Sequence, residues 1–382
     1  MRFDTKLIHG GQGPDPLTGA VNVPVYLSST FAQSAPNRHK GYVYSRSANP
    51  TRTALESALA AVEEGAVGLA FSSGLGALAT LLESIPSKSR IVADLDLYGG
   101  TWRLLEHHRR TFGVLTDYVD FTDLDRVRQA VATGPAPAMV YAESPTNPLL
   151  RVIDLAASAK VAHARRSSFV VDNTFASPAL QRPLPLGADI VLHSTTKYLG
   201  GHSDVIGGAL VVRSRARGEK LRWLQNAVGA VPSPFDSFLV LRGMHTLGIR
   251  MRAHSAGAAA AVEVLDSSRK VRAVHYPGLA SHPQHAVAAR QMSEYGGMVS
   301  FELAGGMPAV RRFLRKLRIF TLAESLGGVE SLVDHPASMT HASVPRSERE
   351  AHGVTDGLVR LSCGIEDPAD LADDLRNALG SL

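Results

Sequence analysis

Two short stretches decide the fold of this chain: FVVD at 169–172 and IVLHSTTK at 190–197. In each stretch an apolar run of strand length ends in polar residues. Similar apolar runs recur at residues 67–71, 90–93, 139–142 and 209–212. Amphipathic segments such as 155–165 separate several of these runs, which predicts a mostly parallel α/β sheet. Ligands of such sheets bind beyond the carboxyl ends of the strands, where Asp172 and Lys197 would lie.

Composition narrows the class of protein. The 382 residues are 45% hydrophobic and 20% charged, with a formal net charge of +5. Because this length exceeds the roughly 250–300 residues at which one core usually divides, we expect two packed domains. The single cysteine, Cys363, excludes an internal disulfide, and the start MRFDTKLIHGG carries charges where a signal peptide needs an apolar run. A reducing, cytoplasmic setting is therefore expected.

Neither a nucleic acid nor a membrane is expected as a partner. The densest basic stretch, 311–318, interleaves apolar residues at helical spacing and predicts a solvated surface helix, without the pattern of a nucleic-acid-binding module. Residues 65–82 carry no charge, and their number would suffice for a membrane helix. The turn-forming segment Ser72-Ser73-Gly74 inside this run instead predicts a strand, a loop and the start of a helix.

The chain divides into three parts. Residues 1–50 contain Gly and Pro with few periodic signals, which is typical of an extended arm that contacts a neighbouring subunit. Residues 51–235 hold the recurring strands and form the predicted cofactor-binding domain. Beyond them, a long helix over 238–265 and a strand over 295–303 predict a smaller C-terminal α/β domain at 236–382.

Lys197 and Asp172 are the residue types that pyridoxal phosphate requires. A lysine at a sheet edge forms an imine with an aldehyde when its amine is partly deprotonated. A nearby aspartate keeps the pyridine nitrogen protonated, which makes the ring an electron sink. Either residue alone is better explained as a surface lysine or as an aspartate at a helix start. Their joint placement at one sheet edge indicates the cofactor.

The phosphate of the cofactor needs its own site, which the segment 72–76 offers. Its glycines let the backbone approach an anion, and the helix that begins near Leu75 points free N–H groups at that anion. Ser194 and Thr196, alternate residues of the lysine loop, add hydroxyl donors. An ordinary capped helix start explains the same segment when it is taken alone.

The same glycines support a second hypothesis, a dinucleotide site. Residues 74–79 fit G-x-G-x-x-A between a strand and a helix, and Asp94 lies twenty residues beyond Gly74 at the end of the next strand. An NAD-binding oxidoreductase would use these residues. It would leave Asp172 and Lys197 without a role, so pyridoxal phosphate ranks first.

Short motifs extend this pattern along the whole chain. They are YSRSANPTR at 44–52, SSGLGA at 72–77, DLYGGT at 96–101, ESPTNP at 143–148, VDNTFASP at 171–178, HSTTKYLGGHSD at 193–204, AVPSPFD at 230–236, YPGL at 276–279, AESLGGVESL at 323–332, MTHASV at 339–344 and RLSCGIED at 360–367. In this order they resemble the Cys/Met-metabolism family of pyridoxal-phosphate enzymes. The resemblance implies the fold-type-I, aminotransferase-like architecture and a homotetramer of two tight dimers with active sites shared between subunits.

The resemblance also implies roles at the cofactor. Lys197 would form the imine and shuttle protons, and Asp172 would pair with the pyridine nitrogen. Tyr98 would stack on the ring and act as an acid or base, and Asn147 would hydrogen-bond the ring hydroxyl. The phosphate would be bound by Gly74, Leu75, Ser194 and Thr196, joined by Tyr44 and Arg46 from the neighbouring subunit.

On the substrate side, the resemblance implies that Arg360 grips the substrate carboxylate beside Ser325 and Asn147. Glu324 and Arg103 fit the members of the family that act on cystathionine. Taken singly, each of these residues has an ordinary structural explanation, and only their joint arrangement indicates a site. No metal is expected, because the histidine pair at 282 and 285 has no carboxylate or cysteine pair at ligand spacing.

The implied reaction is γ-elimination on L-cystathionine, giving cysteine, 2-oxobutanoate and ammonia. The alternative is cystathionine γ-synthase or a related γ-replacement enzyme that joins a thiol to an O-activated homoserine. Val43 departs from the family pattern, which commonly places Glu or Asp before the YSR motif to meet the distal amine of cystathionine. A different substrate is therefore kept open. A catalytically inactive scaffold is disfavoured because every residue type needed for the chemistry is present.

Overall fold

The computed structural model describes residues 1–340, 342 and 346–382, so part of the motif at 339–344 lies outside the described residues. The helices are α1 (Phe3–His9), α2 (Pro50–Glu63), α3 (Gly74–Leu82), α4 (Gly99–Phe112), α5 (Leu124–Ala132), α6 (Leu155–Ala164), α7 (Ser177–Leu180), α8 (Arg215–Val228), α9 (Pro234–Met244), α10 (Leu247–Asp266), α11 (His285–Gln291), α12 (Gly306–Leu314), α13 (Arg346–Ala351) and α14 (Pro368–Gly380). The strands are β1 (Val67–Phe71), β2 (Arg90–Asp94), β3 (Leu115–Val119), β4 (Met139–Glu143), β5 (Ser168–Asp172), β6 (Ile190–His193), β7 (Gly208–Val212), β8 (Val271–His275), β9 (Met298–Leu303), β10 (Thr321–Leu322), β11 (Leu332–Asp334) and β12 (Leu358–Ser362).

Seven strands form the larger sheet, in the order β1-β7-β6-β5-β4-β2-β3. Strands β6, β5, β4, β2 and β3 run parallel, whereas β7 is antiparallel to both of its neighbours. Helices cover both faces, and alternate residues of β5 enter two different apolar clusters, Phe169 and Val171 in one and Val170 in the other. The predicted mostly parallel α/β sheet is confirmed.

The register of the central strands positions the site. Glu143 at the end of β4 pairs with Asp172 at the end of β5, and Asp172 pairs with Leu192 of β6. Parallel strands in this register release their following loops at the same edge of the sheet. The polar residues that follow each apolar run therefore come together, as the sequence predicted.

A smaller sheet has the order β10-β11-β12-β9-β8 and is antiparallel except for the pair β10–β11. Alternation along β12 gives it two faces. Val359 and Leu361 enter an apolar cluster with helices α10, α12 and α14, while Arg360 lies on the opposite face. On that face, the Ser300 hydroxyl donates to the Pro148 carbonyl oxygen at 2.6 Å, which ties the smaller sheet to a loop of the larger one.

Several predicted elements have different bounds. The helix expected over 238–265 is two helices, because α9 ends at Met244 and α10 begins at Leu247. At Gly243 a Cβ would lie 2.1 Å from the Gly200 carbonyl oxygen, so the helix end packs directly on the lysine loop. The strand expected from residue 295 begins at Met298. The edge strand β3 was not predicted, since its sequence LTDYV lacks a continuous apolar run.

The uncharged run 65–82 forms strand β1 and helix α3, as the glycine-containing turn predicted. Among the residues that the structure describes, no helix has both the length and the hydropathy needed to cross a bilayer.

The N-terminal arm is extended only beyond its first residues, which corrects the expectation for residues 1–50. Residues 3–9 form α1, which contacts α2 and α10, and Leu7 lies in the main apolar cluster with Phe3 packed beside it. The spacing of these two side chains, i and i+4, places both on one helix face. From residue 10 to residue 49 the arm has no helix or named strand, and Leu17 and Val21 are largely exposed.

The docking of α1 can be tested by shortening its buried side chain. Leu7 is 1% exposed, so Leu7→Ala should lower the free energy of unfolding by about 2–4 kcal/mol through lost burial and a residual cavity. Urea unfolding followed by circular dichroism measures the change. The matched control is Ile8→Ala on the same helix, where the side chain is 50% exposed and the loss should stay below about 1 kcal/mol. Equal losses in the two variants would contradict the packing of α1.

Candidate active site

A cavity of about 770 Å³ lies at the carboxyl edge of the larger sheet, where loops after β1, β2, β4, β5 and β6 meet residues of the smaller sheet. The predicted site residues that line it are Gly74, Leu75, Tyr98, Asn147, Asp172, Ser194, Thr196, Lys197, Glu324, Ser325 and Arg360. These residues span most of the chain, so only the fold brings them together.

Three predicted residues do not line this cavity. Tyr44 and Arg46 lie on the N-terminal arm, where Arg46 Nη1 donates to the Asn226 carbonyl oxygen at 2.7 Å and the guanidinium lies 5.7 Å from the centre of the Tyr44 ring. Arg103 lies on α4 with an exposed side chain. The resemblance gives Tyr44 and Arg46 to the site of a neighbouring subunit, so their roles and that of Arg103 stay predictions.

The loop after β6 delivers the Lys197 amine to the cavity. Its Nζ donates a hydrogen bond to Ser325 Oγ at 2.7 Å. Burial and, to a smaller extent, the nearby Arg360 cation lower the pKa of Lys197 to about 8, against the opposing charges of Asp334 and Glu324. In a fraction of the molecules the Lys197 amine is therefore neutral near pH 7 and can act as a base or nucleophile.

The partner of this amine sits in an unusual backbone conformation. Ser325 has φ of +104°, a region that residues with a side chain adopt at a cost of roughly 1–3 kcal/mol. Arg360 Nη2 donates to the Ser325 carbonyl oxygen at 3.1 Å, which helps to hold the residue in place. The hydroxyl of Ser325 is thereby directed at Lys197.

Other contacts fix the lysine loop from behind. The Thr196 hydroxyl accepts the Gly207 N–H at 3.0 Å and donates to the Gly207 carbonyl oxygen at 3.2 Å, which ties the loop to residue 207. Arg250 on α10 is buried and donates through Nη1 to the Tyr198 carbonyl oxygen at 2.8 Å. The loop is therefore held at residues on both sides of Lys197.

The start of α3 forms an anion cradle next to the lysine loop. The Ser73 hydroxyl caps the helix by accepting the Gly76 N–H at 2.9 Å, and the first N–H groups of the helix have no carbonyl partner within it. A Cβ at Gly74 would lie 3.1 Å from Ser194 Cβ, so the two segments approach closely. The helix dipole and these N–H groups favour a phosphate there.

Asp172 is held rigidly on the same side of the cavity. Its Oδ1 accepts the Thr174 N–H at 3.0 Å and the Thr174 hydroxyl at 2.6 Å, and its Oδ2 accepts the Tyr141 hydroxyl at 3.4 Å. Burial raises the pKa of Asp172, while the two Thr174 hydrogen bonds favour its ionised form. An oriented, buried carboxyl group of this kind is suited to bind a protonated ring nitrogen.

Arg360 contributes a buried guanidinium to the cavity. Its Nη1 donates to Asn147 Oδ1 at 2.7 Å, and it forms an ion pair with Asp334, the residue opposite it on β11. Its Nε has no hydrogen-bond partner among the described residues although it is buried. Arg360 also lines the cavity, where its guanidinium can pair with a substrate carboxylate because the two groups match in geometry.

These observations test whether pyridoxal phosphate fits. The cradle at Gly74, the hydroxyls of Ser194 and Thr196, the Lys197 amine and the Asp172 carboxyl are the four kinds of group that the cofactor needs, and all line one cavity. The residues present therefore fit this cofactor.

Sequence reasoning missed several residues of this site. Glu143 lines the cavity and accepts two backbone N–H groups. Tyr141 and Thr174 hold Asp172 by hydrogen bonds. A Cβ at Gly208 would lie 2.1 Å from the Ser73 carbonyl oxygen. A signal was present for Glu143, which opens the ESPTNP motif at a strand end. Tyr141 and Gly208 lie inside strand sequences, where no local pattern separates them from core residues.

The dinucleotide hypothesis is not supported at Asp94. Its carboxylate is 2% exposed, lies outside the residues that line the cavity, and accepts the backbone N–H groups of Asp96 and Phe121, each at 3.4 Å. A ribose-binding carboxylate would have to face the ligand. Among the residues that the structure describes, no group of three His, Cys, Asp or Glu side chains is placed to hold a metal ion.

The lowered pKa of Lys197 predicts a distinct pH dependence. With a pKa of about 8, the rate at which the cofactor-free protein reacts with a small neutral aldehyde should rise about tenfold between pH 7 and pH 9. A fully solvated lysine would give a rise of about a hundredfold. Reductive trapping and mass spectrometry of the peptide that contains Lys197 measure the rate.

The matched variant for this prediction is Arg360→Gln. Loss of the cation should raise the pKa of Lys197 and move the rise in rate to higher pH. An unchanged profile in this variant, or a hundredfold rise in the unaltered protein, would contradict the assigned cause.

Comparisons with known proteins agree with this geometry. The family model for the Cys/Met metabolism PLP-dependent enzymes matches residues 4–380. The chain is 52% identical over 379 residues to a cystathionine beta-lyase of Coxiella burnetii, covering 99% of this chain and 97% of that protein. It is equally 52% identical over 379 residues to a cystathionine gamma-synthase of Mycobacterium tuberculosis, covering 98% and 96%.

A solved structure gives the same result for the fold. The crystal structure of cystathionine gamma-lyase from Lactobacillus plantarum complexed with L-serine superposes with a TM-score of 0.96 at 46% identity, covering 100% of this chain and 99% of that chain. The three similar proteins carry three different reaction names. The protein is thus a pyridoxal-phosphate-dependent enzyme, a carbon–sulfur lyase or γ-replacement enzyme, and the chain belongs to the Cys/Met-metabolism family.

Proposed function

We propose that the protein cleaves L-cystathionine at its γ-carbon, giving cysteine, 2-oxobutanoate and ammonia with consumption of one water. The observation that carries this proposal is the placement of positively and negatively charged side chains around one cavity. Arg360 and the Lys197 amine both contact Ser325, while the neighbouring Glu324 carboxylate is exposed at the same cavity. A substrate with one amino-acid group at Arg360 and a distal ammonium at Glu324 satisfies this arrangement.

Different residues of the chain carry out different steps of the reaction. Bound pyridoxal phosphate supplies an electron sink for the carbanion that forms at the substrate α-carbon. Lys197 Nζ, with its pKa of about 8, removes the α-proton and carries protons between carbon atoms of the substrate. Asp172 keeps the ring-nitrogen proton in place through its fixed carboxyl group. Tyr98, at the cavity wall, gives a proton to the departing thiolate.

The second candidate is γ-replacement, in which a thiol joins an O-activated homoserine. Two observations favour it: the similarity to a protein named cystathionine gamma-synthase, and Val43, an apolar residue where an acid commonly meets the distal amine. The relative named cystathionine beta-lyase introduces a third reaction, which breaks the carbon–sulfur bond at the other side of sulfur. All three begin with removal of the α-proton by the same lysine.

One assay separates these reactions. The purified, cofactor-loaded protein is supplied with L-cystathionine, and 2-oxobutanoate, pyruvate, cysteine and homocysteine are measured together. We expect 2-oxobutanoate and cysteine in equal amounts. Pyruvate with homocysteine would instead establish β-cleavage, and Lys197→Ala is the control that should abolish either pair of products.

If that assay gives no products, the γ-replacement reaction is measured next. Cystathionine formed from cysteine and an O-acylhomoserine, without cleavage of added cystathionine, would replace the lyase proposal by γ-replacement. Absence of both activities would indicate a different substrate and would agree with the departure at Val43.

We further propose a homotetramer, built as a dimer of dimers, in which residues 1–50 of one subunit complete the site of another, 51–235 bind the cofactor and 236–382 form the smaller domain. The support is the arm itself. Leu17, Val21 and Leu27 are mostly exposed apolar side chains, and Tyr44 and Arg46 lie on the surface away from their own cavity. Contact with a second copy would bury the former and bring the latter to a phosphate.

Shared sites predict complementation between inactive variants. Lys197→Ala and Arg46→Ala should each have little activity alone, because each lacks one contribution to every site. Unfolded together and refolded as a mixture, they should regain up to about a quarter of the wild-type kcat, since half of the dimers are mixed and each mixed dimer has one intact site. Recovery that does not exceed the sum of the separate variants would contradict shared sites.

A further inference from the structure

One buried carboxylate connects two loops of the site. Glu143 ends β4, is 4% exposed and lines the cavity. Its Oε2 accepts the Tyr98 N–H at 3.0 Å and its Oε1 accepts the Asn147 N–H at 2.9 Å. Tyr98 precedes α4 in the loop after β2, and Asn147 belongs to the loop after β4, so a single side chain fixes the backbone of both.

The two residues held in this way both present side chains to the cavity. Asn147 also accepts a hydrogen bond from Arg360 Nη1 at 2.7 Å, so together with Asp334 and Ser325 it holds the guanidinium in place. A second bond joins the same two loops farther from the cavity, from the Thr146 hydroxyl to Asp96 Oδ2 at 2.6 Å. Of these two links between the loops, the one through Glu143 lines the cavity.

Only a carboxyl group suits this arrangement. The two donors approach different oxygens of Glu143, and a glutamine has one acceptor oxygen and an NH₂ group that would face the other N–H donor. Burying a carboxyl group next to Asp172, its partner across the β4–β5 register, is also unfavourable. A neutral hydroxyl or amide could accept one backbone N–H at a lower desolvation cost. The buried carboxyl group is therefore explained by the need for two acceptor oxygens at once.

We propose that Glu143 is a positioning residue, which holds the Tyr98 and Asn147 side chains against the cofactor ring and, through Asn147, orients Arg360. This inference rests on the cofactor roles proposed above for Tyr98 and Asn147. It does not depend on which carbon–sulfur bond is broken.

The test compares two buried glutamates. Glu143→Gln should weaken binding of pyridoxal phosphate about tenfold and change the absorption maximum of the bound cofactor, both measured by titration without any amino-acid substrate. The control is Glu56→Gln. Glu56 is also 4% exposed and accepts a backbone N–H, that of Ala70 at 3.1 Å, but lies outside the cavity. This control should keep cofactor affinity within about twofold even if its unfolding midpoint falls.

A double-mutant cycle tests whether Glu143 acts through Tyr98. In a Tyr98→Ala background, Glu143→Gln should weaken cofactor binding only about threefold, because one of the two side chains that it positions is already absent. Should Glu143→Gln fail to fold, Glu143→Asp serves in the same cycle, since the shorter side chain cannot reach both N–H groups.

Several outcomes would overturn the proposal. They are wild-type affinity and absorption in Glu143→Gln, equal weakening in Glu56→Gln, or effects that multiply fully in the double variant. Because no substrate is present, failure of this test leaves the cystathionine assay unaffected, and failure of that assay leaves this test unaffected.

Discussion

The Lys197 amine has to be neutral for part of the time, and the structure is arranged around this requirement. Burial and the Arg360 cation together lower its pKa to about 8. The cation is itself buried and is held by Asp334 on the next strand and by the Asn147 side chain. The lowered pKa of Lys197 in the larger sheet thus depends in part on Arg360 in the smaller sheet. The cavity lies where the two sheets meet.

The site is also where the chain departs from ordinary backbone and packing rules. Ser325 adopts a left-handed backbone conformation to face the amine, and Gly208 brings β7 so close to Ser73 that any side chain would collide. Buried carboxyl groups at 143 and 172 lie side by side at adjacent strand ends. Such unfavourable features concentrate at binding sites, because the surrounding core is stable enough to hold them.

Much of the fold could be predicted from local patterns. The apolar runs gave the six strands 67–71 through 209–212 to within one or two residues, and the turn at 72–74 separated β1 from α3. Helix α1, strand β3 and the break between α9 and α10 could not be predicted. In these segments, contacts with distant residues decide the conformation: Leu7 packs against α2 and α10, and the end of α9 packs on the lysine loop.

For this protein, the sequence by itself determined the residue types and their positions at strand ends, because side-chain chemistry and the two-residue period of a strand are local properties. Those were sufficient for the pair formed by Lys197 and Asp172 and for the cofactor that it indicates, whereas the family was indicated by the resemblance of the motifs along the chain. Only the tertiary structure decided that Glu143 bridges Tyr98 and Asn147, that Ser325 meets the amine, and that Arg360 lines the cavity. The contacts of Glu143 with Tyr98 and of Ser325 with Lys197 join residues far apart in the chain, so they depend on how the strands and the two sheets pack.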